Sequence, residues 1–316
     1  MTDPDPRGAS APVTSRRYEG LADLPPLLAF ASACTAARSP LSASWHPGDI
    51  VWALHASPDQ PQPNRFWLGA QGVEAHAWLY DDGEVWLETL PQAGHLVPEA
   101  VSWAEAEWCA RDANAASAPL KIRAYASDAR RIAALEALGY RRAEQAGVHL
   151  RMSLEGELPQ ARAPSGVTVR DSVGVDPALR ALAHRAAWDH LEHLGIDAQS
   201  RFSTEAYLSL TALPVYDPSL DMLAVAPDGG FIASCIAWAD GESGVGVFEP
   251  VGVAAPWRGQ RLARLVMLEA IRRLQARGLR EARVGTAAFN HPAIAAYLAC
   301  GFQPADESWW WTKGGG

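Results

Sequence analysis

The sequence predicts an α/β (α+β) protein of two tandem domains, each with a mixed central sheet flanked by helices. Three observations carry this prediction. Strand-like and helix-like segments alternate, a segment rich in Pro and Gly lies near mid-chain, and the two halves share a repeated pattern. A length of 316 residues is enough for two ordinary domains. Hydrophobic residues make up 48% and charged residues 20%, a mixture typical of folded globular chains.

The segment that divides the chain is residues 156–166, GELPQARAPSG, which has no apolar period and contains two Pro and two Gly. We therefore expect an N-terminal domain over residues 13–155, a linker over 156–166 and a C-terminal domain over 167–316. Residues 1–12 are polar and are expected to form a disordered tail.

The two halves are related by an internal repeat at an offset of 162 residues. Residues 128–140 (DARRIAALEALGY) align with residues 290–302 (NHPAIAAYLACGF) without a gap. Agreement at separated places on nearly one offset indicates a duplicated domain. The matched pairs include Ile132/Ile294, Ala133/Ala295, Ala134/Ala296, Ala137/Ala299, Gly139/Gly301, Val85/Val247 and, after a change of two residues in the offset, Trp78/Trp238.

Apolar periodicity and turn signals give the order of elements in the C-terminal half. Strands are expected over residues 167–170, 222–226, 231–238, 246–253, 281–287 and 308–312. Helices are expected over residues 177–194, 204–213, 261–277 and 292–300. Thr204 is the expected N-cap of the second helix. The sum is a mixed sheet with a strand–loop–helix crossover at its middle.

Charge, hydropathy and cysteine spacing exclude several classes of protein. The net charge of −9 argues against an extended nucleic-acid surface, which needs a basic face. No apolar stretch approaches the ~20 residues of a bilayer span, and no basic flank followed by an apolar core marks a signal peptide. We expect a cytoplasmic monomer or homodimer without membrane, nucleic-acid or metal partners. Free, buried thiols are expected at the four cysteines, which lack CxxC spacing and a His cluster: Cys34, Cys109, Cys235 and Cys300.

The segment with the clearest chemistry is residues 251–263, VGVAAPWRGQRLA, where a strand enters a short loop that opens a helix. Backbone N–H groups at a helix start lack internal partners and, with the helix dipole, favour an anion. Gly259 allows a phosphate to approach the backbone, and Arg258 and Arg261 add positive charge. A turn without ligand is the alternative for this segment alone.

A second segment, residues 290–302, has the pattern of a capped helix. Asn290 is the expected N-cap and Pro292 lies in the first turn. Tyr297 follows about two turns along, and Gly301 ends the helix.

Together the two segments resemble the signatures of the GNAT acetyltransferase superfamily, an Arg/Gln-x-x-Gly-x-Gly/Ala pyrophosphate loop and an Asn-x-x-Ala-x-x-x-Tyr-x-x-x-Gly-Phe helix. The loop corresponds to residues 258–263, with Arg261 at the position that a second glycine usually holds. The resemblance covers residues 165–313 well and residues 13–152 weakly. The helix signature is matched by Asn290, Ala293, Tyr297, Gly301 and Phe302.

The resemblance implies an acyl-CoA-dependent N-acyltransferase, with acetyl-CoA as co-substrate and a small primary amine as acceptor. The amine attacks the thioester directly in a ternary complex, and Tyr297 protonates the leaving thiolate. Pantetheine binds along the strand at residues 248–253. The cofactor-binding residues that it implies are Val251, Val253, Arg258, Gly259, Gln260, Arg261, Leu262, Ala263 and Asn290.

Three further side chains are candidates for the acceptor side. Glu249 is the candidate general base, and a solvent-facing strand glutamate is the alternative. Strand alternation places Glu249 on one face with Val251 and Val253, unless a bulge intervenes. His184 and Trp188, one helical turn apart, are candidates for the acceptor pocket; core packing of Trp188 beside a partly exposed His184 is the alternative.

The N-terminal copy lacks these residues and is expected to be degenerate. Val97 and Pro98 occupy the loop positions, and Pro98 has no N–H for a phosphate. A tandem arrangement with one degraded half is similar to that of mycothiol synthases. At the offset of 162 residues, Leu135 stands in place of Tyr297, Asp128 in place of Asn290 and Leu87 in place of Glu249. Leu96-Val97-Pro98 likewise stands in place of Arg258-Gly259-Gln260.

Two other functions stay open at this point. A non-catalytic acyl-CoA sensor or partner-binding protein is suggested by Arg261 at the glycine position. A structural protein with two inactive halves would bind no coenzyme A. The identity of the acceptor amine and the acyl chain preference are not predicted.

Overall fold

The structure is a computed structural model in which the described residues are 13–38, 44–55, 63–111, 119–196, 200 and 202–314. The tail expected over residues 1–12 lies outside them. The N-terminal half contains β1 (Thr14–Arg17), α1 (Leu24–Arg38), α2 (Pro47–His55), β2 (Asn64–Gly69), β3 (Gly72–Leu79), β4 (Glu84–Thr89), α3 (Val97–Cys109), β5 (Lys121–Tyr125), α4 (Ala129–Ala137) and β6 (Arg141–Ser153).

The second half repeats this order. It contains β7 (Thr168–Asp171), α5 (Pro177–Trp188), α6 (Thr204–Thr211), β8 (Asp221–Val225), β9 (Phe231–Asp240), β10 (Val245–Val253), α7 (Leu262–Ala276), β11 (Glu281–Ala287), α8 (His291–Cys300) and β12 (Gln303–Thr312).

Most expected elements are present, with bounds that agree within two residues except at two element ends, and α6 has a different N-cap. The N-cap of α6 is Ser203 rather than Thr204, because the Ser203 side chain accepts from the Ala206 N–H. Helix α5 ends at Trp188 rather than at residue 194, and β12 begins at Gln303 rather than at residue 308. Of the four free cysteines, Cys109 is exposed rather than buried.

All twelve strands form one mixed sheet flanked by helices, in the order β1-β2-β3-β4-β5-β12-β6-β11-β10-β9-β8-β7. The last strands of the two halves are exchanged. Strand β12 pairs with β5 of the N-terminal half, β6 pairs with β11 of the C-terminal half, and the two run antiparallel side by side. The duplication therefore builds one continuous sheet with the exchanged pair at its centre.

A shared hydrophobic core also joins the halves. Helix α2 packs against β9 and β10 of the C-terminal half. It approaches so closely that a Cβ on Gly48 would overlap the Trp238 side chain, so only glycine fits there. This packing carries the start of α2 to the middle of β10.

Two general findings bear on function. No helix among the described residues combines the length and the apolar character that a membrane crossing requires. Within the same residues, no group of three or more His, Cys, Asp and Glu side chains is placed to hold a metal ion.

A buried ion pair fixes the first helix of the C-terminal half to its sheet. The Arg180 Nε donates to both carboxylate oxygens of Asp221 at 2.9 Å. The hydroxyls of Tyr207 and Tyr216 donate to the same carboxylate at 3.2 and 2.9 Å. Arg180 is 1% exposed and Asp221 is fully buried.

We expect Asp221→Ala to lower the free energy of unfolding by about 3–5 kcal/mol, because it leaves a buried guanidinium without its anion. Urea denaturation measures the change. In the control, Arg17→Ala removes an exposed pair with Glu107 and should cost less than ~1 kcal/mol. Equal, small losses in both variants would contradict a structural role for the buried pair.

Candidate active site

The site begins where two parallel strands separate. Strands β10 and β11 pair only at Val245–Val247 and Glu281–Arg283, and then diverge. Beyond this point the edge of β10 that faces β11 has no strand partner among the described residues. A cavity of about 960 Å³ lies in the opening, lined by Val251, Gly252 and Val253 of β10, by the loop before α7, and by α8. A cavity of this size accommodates a cofactor.

The loop before α7 has the conformation of an anion-binding turn. Gly259 has φ 78°, and Arg261 has φ 61°, the left-handed conformation in which a non-glycine residue costs roughly 1–2 kcal/mol. Arg261 therefore adopts the conformation that glycine normally supplies at this position of the loop. As the N-cap of α7 it makes no side-chain hydrogen bond, so the first N–H groups of this helix have no side-chain cap.

The remaining loop residues contribute in different ways. The Arg258 guanidinium donates to the Ala187 carbonyl oxygen at 3.0 Å and lies 3.2 Å from the His193 Nδ1, so it ties the loop to the end of α5. The Leu262 side chain is buried in the core, so Leu262 can contact a ligand only through its backbone. Ala263 lines the cavity, whereas Gln260 is exposed and does not.

Helix α8 holds Tyr297 in the wall of the same cavity. Asn290 is the N-cap, as expected: its side chain accepts from the Ala293 N–H at 3.3 Å and donates to the Thr286 hydroxyl at 3.1 Å. The Tyr297 hydroxyl has no hydrogen-bond partner among the described residues. Burial raises the pKa of Tyr297, and the charge of Glu249 raises it further. The phenol therefore stays protonated at neutral pH.

Glu249 does not share the face of Val251 and Val253. The register of β10 against β9 shifts between Phe248 and Val251, so a bulge breaks the simple alternation. Glu249 instead lines a second cavity of about 290 Å³. Burial raises the pKa of Glu249 to about 8, and the charge of Asp49 acts in the same direction.

Both halves of the chain build this second cavity. His46 and Asp49 come from the start of α2, Arg123 from β5 and Arg283 from β11. Ala287 lines both cavities, so they meet at the end of β11. The two cavities therefore approach the gap between β10 and β11 from different sides.

His46 is fixed by the backbone around it. Its Nε2 lies 3.1 Å from the Val245 carbonyl oxygen, and its Nδ1 accepts from the Gly48 N–H at 3.0 Å. Burial lowers the pKa of His46 to about 4, so the ring is neutral at pH 7. The Asp49 carboxylate accepts from the His46 backbone N–H at 3.0 Å.

Known proteins share the sequence and the fold of this site. Residues 187–302 match the model of the acetyltransferase (GNAT) family. Through these residues the chain is similar to the GNAT family. The mycothiol acetyltransferase of a Nocardioides species is 32% identical over 186 residues, which cover 54% of this chain and 60% of that protein. That of an Arthrobacter species is 28% identical over 155 residues, covering 47% and 46%. The chain thus spans about half the length of the curated relatives it matches.

Solved GNAT structures share the fold along nearly the whole chain. A GCN5-related N-acetyltransferase from Sphaerobacter thermophilus has a TM-score of 0.59 at 23% identity and covers 96% of each chain. A tandem GNAT protein from the clavulanic acid biosynthesis pathway also has a TM-score of 0.59, at 16% identity, and covers 96% of this chain and 100% of its own. The chain therefore has the fold of these two proteins.

In the N-terminal half of the chain the corresponding opening is filled. Strands β4 and β5 likewise pair only at Glu84–Val85 and Lys121–Ile122. Four charged side chains occupy the region beyond, with ion-pair distances of 2.8–3.3 Å. They are Arg38, Glu88, Asp128 and Arg131.

Two of these side chains bind the strand edge itself. Arg131 donates to the Leu87 carbonyl oxygen, and Arg38 donates to that of Thr89 at 3.2 Å. On the repeat offset these carbonyls correspond to those of Glu249 and Val251, at the cleft of the C-terminal half. There the Glu249 carbonyl oxygen accepts from the Trp238 indole N–H at 2.6 Å, whereas no described side chain donates to that of Val251. Leu135, at the position of Tyr297, is fully buried. Arginine side chains thus bind both carbonyls in the N-terminal half, while the Val251 carbonyl has no side-chain donor in the described part of the second half.

His184 and Trp188 lie outside the second cavity. Their rings stack with centroids 4.2 Å apart, and His184 also contacts Trp52 and Phe202. His184 is buried rather than partly exposed, and burial lowers its pKa to about 3. Trp188 lines the larger cavity and lies against Gly252 of β10, where any Cβ would overlap its ring. A role of either residue in acceptor binding stays a prediction.

Sequence reasoning missed the polar residues of the second cavity. Two contacts of His46 are local, with Gly48 and Asp49, but the Val245 carbonyl oxygen that faces its Nε2 lies 199 residues away in the chain. Arg123 and Arg283 did carry a usable signal: each is a charged residue inside a short strand whose alternate positions are buried.

Proposed function

We propose that the protein transfers an acetyl group from acetyl-CoA to the primary amine of a small molecule, by direct attack in a ternary complex. The observation that carries this proposal is a pair of cavities that share Ala287 in their walls, one lined by Tyr297 and the other by Glu249. One cavity lies at an uncapped helix N-terminus, and the other contains a carboxyl group with a raised pKa.

The larger cavity suits coenzyme A. The uncapped N–H groups at the start of α7 offer hydrogen bonds and a positive dipole to a pyrophosphate. The edge of β10 over Val251–Val253 has no strand partner among the described residues and offers backbone groups to the amides of pantetheine. The Val253 carbonyl oxygen is the exception, because it accepts from the Arg258 Nε at 3.4 Å. When bound, acetyl-CoA supplies the activated acyl group.

The residues at the junction suit the proton transfers. Glu249, as carboxylate, accepts a proton from the ammonium of the acceptor, and the neutral amine attacks the thioester carbon. The carbon–nitrogen bond forms and the carbon–sulfur bond breaks. Tyr297 donates its proton to the leaving sulfur, which gives an amide and free coenzyme A.

Gly259→Val should weaken acetyl-CoA binding by at least tenfold in calorimetry, because a branched side chain stands where the backbone meets the phosphate. Gly278→Val is the matched control. Gly278 has φ 81°, and a Cβ at either glycine would meet no atom within 4 Å, but Gly278 lies beyond the other end of α7. Both variants carry the same strain, so equal affinity in the two would place the cofactor elsewhere.

The test of the function is release of free thiol from acetyl-CoA with a panel of small amines, with the acetylated product identified by mass spectrometry. Turnover with any amine excludes a non-catalytic acyl-CoA sensor. Tight acetyl-CoA binding without turnover across the panel would favour the sensor, and absence of binding would leave a structural protein.

A further inference from the structure

A guanidinium with two unpartnered nitrogens lies in the wall of the second cavity. The Arg283 Nε donates to Glu281, but both terminal nitrogens, Nη1 and Nη2, are buried without a hydrogen-bond partner in the described part of the chain. Buried guanidinium nitrogens are normally hydrogen-bonded, because loss of hydration is costly. The cavity thus contains two donors that face no acceptor of the protein.

A second cation stands in the same wall. Arg123 lies over the rings of Trp86 and Trp310, with its Cζ 4.1 and 4.7 Å from the ring centroids. Its Nε is also buried without a partner among the described residues. Burial lowers the pKa of Arg123, as expected for a cation that lacks a close anion.

The two carboxyl groups of the cavity do not neutralise these cations. Neither Asp49 nor Glu249 forms an ion pair with either arginine within the described residues. Burial raises the pKa of Asp49 to about 6 and that of Glu249 to about 8. Arg283 is paired through its Nε with Glu281, and among the described residues neither arginine is paired with a carboxyl group of the chamber itself.

The size and the apolar walls of the chamber limit the ligand. Its volume of about 290 Å³ equals that of roughly ten water molecules at ~30 Å³ each. Trp45, Trp52 and Trp86 supply aromatic walls. A molecule of about nine to fifteen non-hydrogen atoms with an apolar or aromatic part suits this space.

We propose that the acceptor is a small amine that also carries a carboxylate, with the size and chemistry of a free amino acid with an apolar side chain. The carboxylate binds the terminal nitrogens of Arg283, aided by Arg123. The side chain lies against the tryptophans, and the amine is directed to Glu249. This inference rests on the proposed acetyl transfer and specifies its substrate class.

Other amines suit the chamber less well. A polyamine would add cations beside two arginines, and a neutral amino sugar would leave the Arg283 nitrogens without an acceptor. A carboxylate matches the planar fork of a guanidinium with two parallel hydrogen bonds. Arg283 is then a specificity-determining residue for the acceptor.

The experiment compares matched acceptors: L-leucine, L-phenylalanine and L-tryptophan, each against its primary amide, which keeps the amine and the side chain but removes the anion. The free acid of at least one pair should have a kcat/KM about 10–100-fold above that of its amide, the span of one charge-assisted pair. Arg283→Met should abolish this preference. Arg272→Met, which alters an arginine on the outer face of α7, should preserve it.

Calorimetric titration of the same acids and amides in the presence of coenzyme A separates this inference from the proposed function. Acid-selective binding that is lost in Arg283→Met supports the carboxylate site even if no turnover occurs, in which case the acetyl transfer alone fails. Turnover or binding without preference for the acid in all three pairs overturns the inference and leaves the proposed function in place. Absence of binding and turnover for every acid also overturns it.

Discussion

Replacing Tyr297 by Phe is expected to lower turnover by about 10²–10⁴, the usual span for a single general acid. The substitution keeps the ring packing against Phe302 and removes only the hydroxyl, so the fold and the affinity for acetyl-CoA should change little. The measurement is kcat at saturating acetyl-CoA, under conditions in which chemistry limits the rate.

The internal repeat supplies the control for this prediction. Leu135→Tyr introduces a phenol at the equivalent position of the N-terminal half, where Arg38 and Arg131 occupy the strand edge. No second activity should appear. If Tyr297→Phe keeps nearly full turnover, the leaving thiolate needs no acid from the protein, and Tyr297 becomes a packing residue.

Glu249→Gln is expected to lower kcat by about 10²–10⁴, because the amide cannot take the proton of the acceptor ammonium. The substitution also predicts a change in pH dependence. The pKa of Glu249 is raised to about 8 in the free protein, so the carboxylate that serves as base predominates only above that pH. In the unaltered protein kcat/KM should therefore fall as pH decreases below about 8.

The pH profile of the Gln variant decides between roles for Glu249. In this variant the fall in kcat/KM below about pH 8 that Glu249 causes should disappear. Only the pH dependence from titration of the acceptor amine should remain, and that titration is measured separately. Glu242→Gln, an exposed glutamate in the turn between β9 and β10, is the matched control and should leave both rate and profile unchanged. A Gln variant that retains both the rate and this fall in kcat/KM would show that another group, or water, accepts the proton.

Local chemistry explains why much of the fold and part of the site could be predicted. Strand β11 has the expected bounds, and Asn290 caps α8 as expected, because hydrophobic alternation and capping depend on neighbouring residues. The position of the loop before α7 follows from Arg258 and Gly259 in the same way. Arg261 stands where the loop signature usually has a second glycine. The structure shows that Arg261 nevertheless adopts the left-handed backbone conformation that glycine would adopt there.

Long-range pairing explains what the sequence did not show. Strands β6 and β12 occupy equivalent positions in the two repeats. Because both alternate buried and exposed residues in the same way, either strand could pair with β5 or with β11. Nothing in either strand alone selects the exchanged arrangement. The second cavity depends on this arrangement and on the crossing of α2, which brings Asp49 beside Glu249 from about two hundred residues away.

We expect one of the two similar halves to hold acetyl-CoA, at the cleft between β10 and β11. Calorimetric titration of the whole protein gives the number of acetyl-CoA molecules that bind per chain and so tests this expectation. We expect one molecule per chain, and we expect this site to be lost or strongly weakened in Gly259→Val. Two molecules per chain, or one molecule held with unchanged affinity by that variant, would contradict this expectation, as would absence of binding.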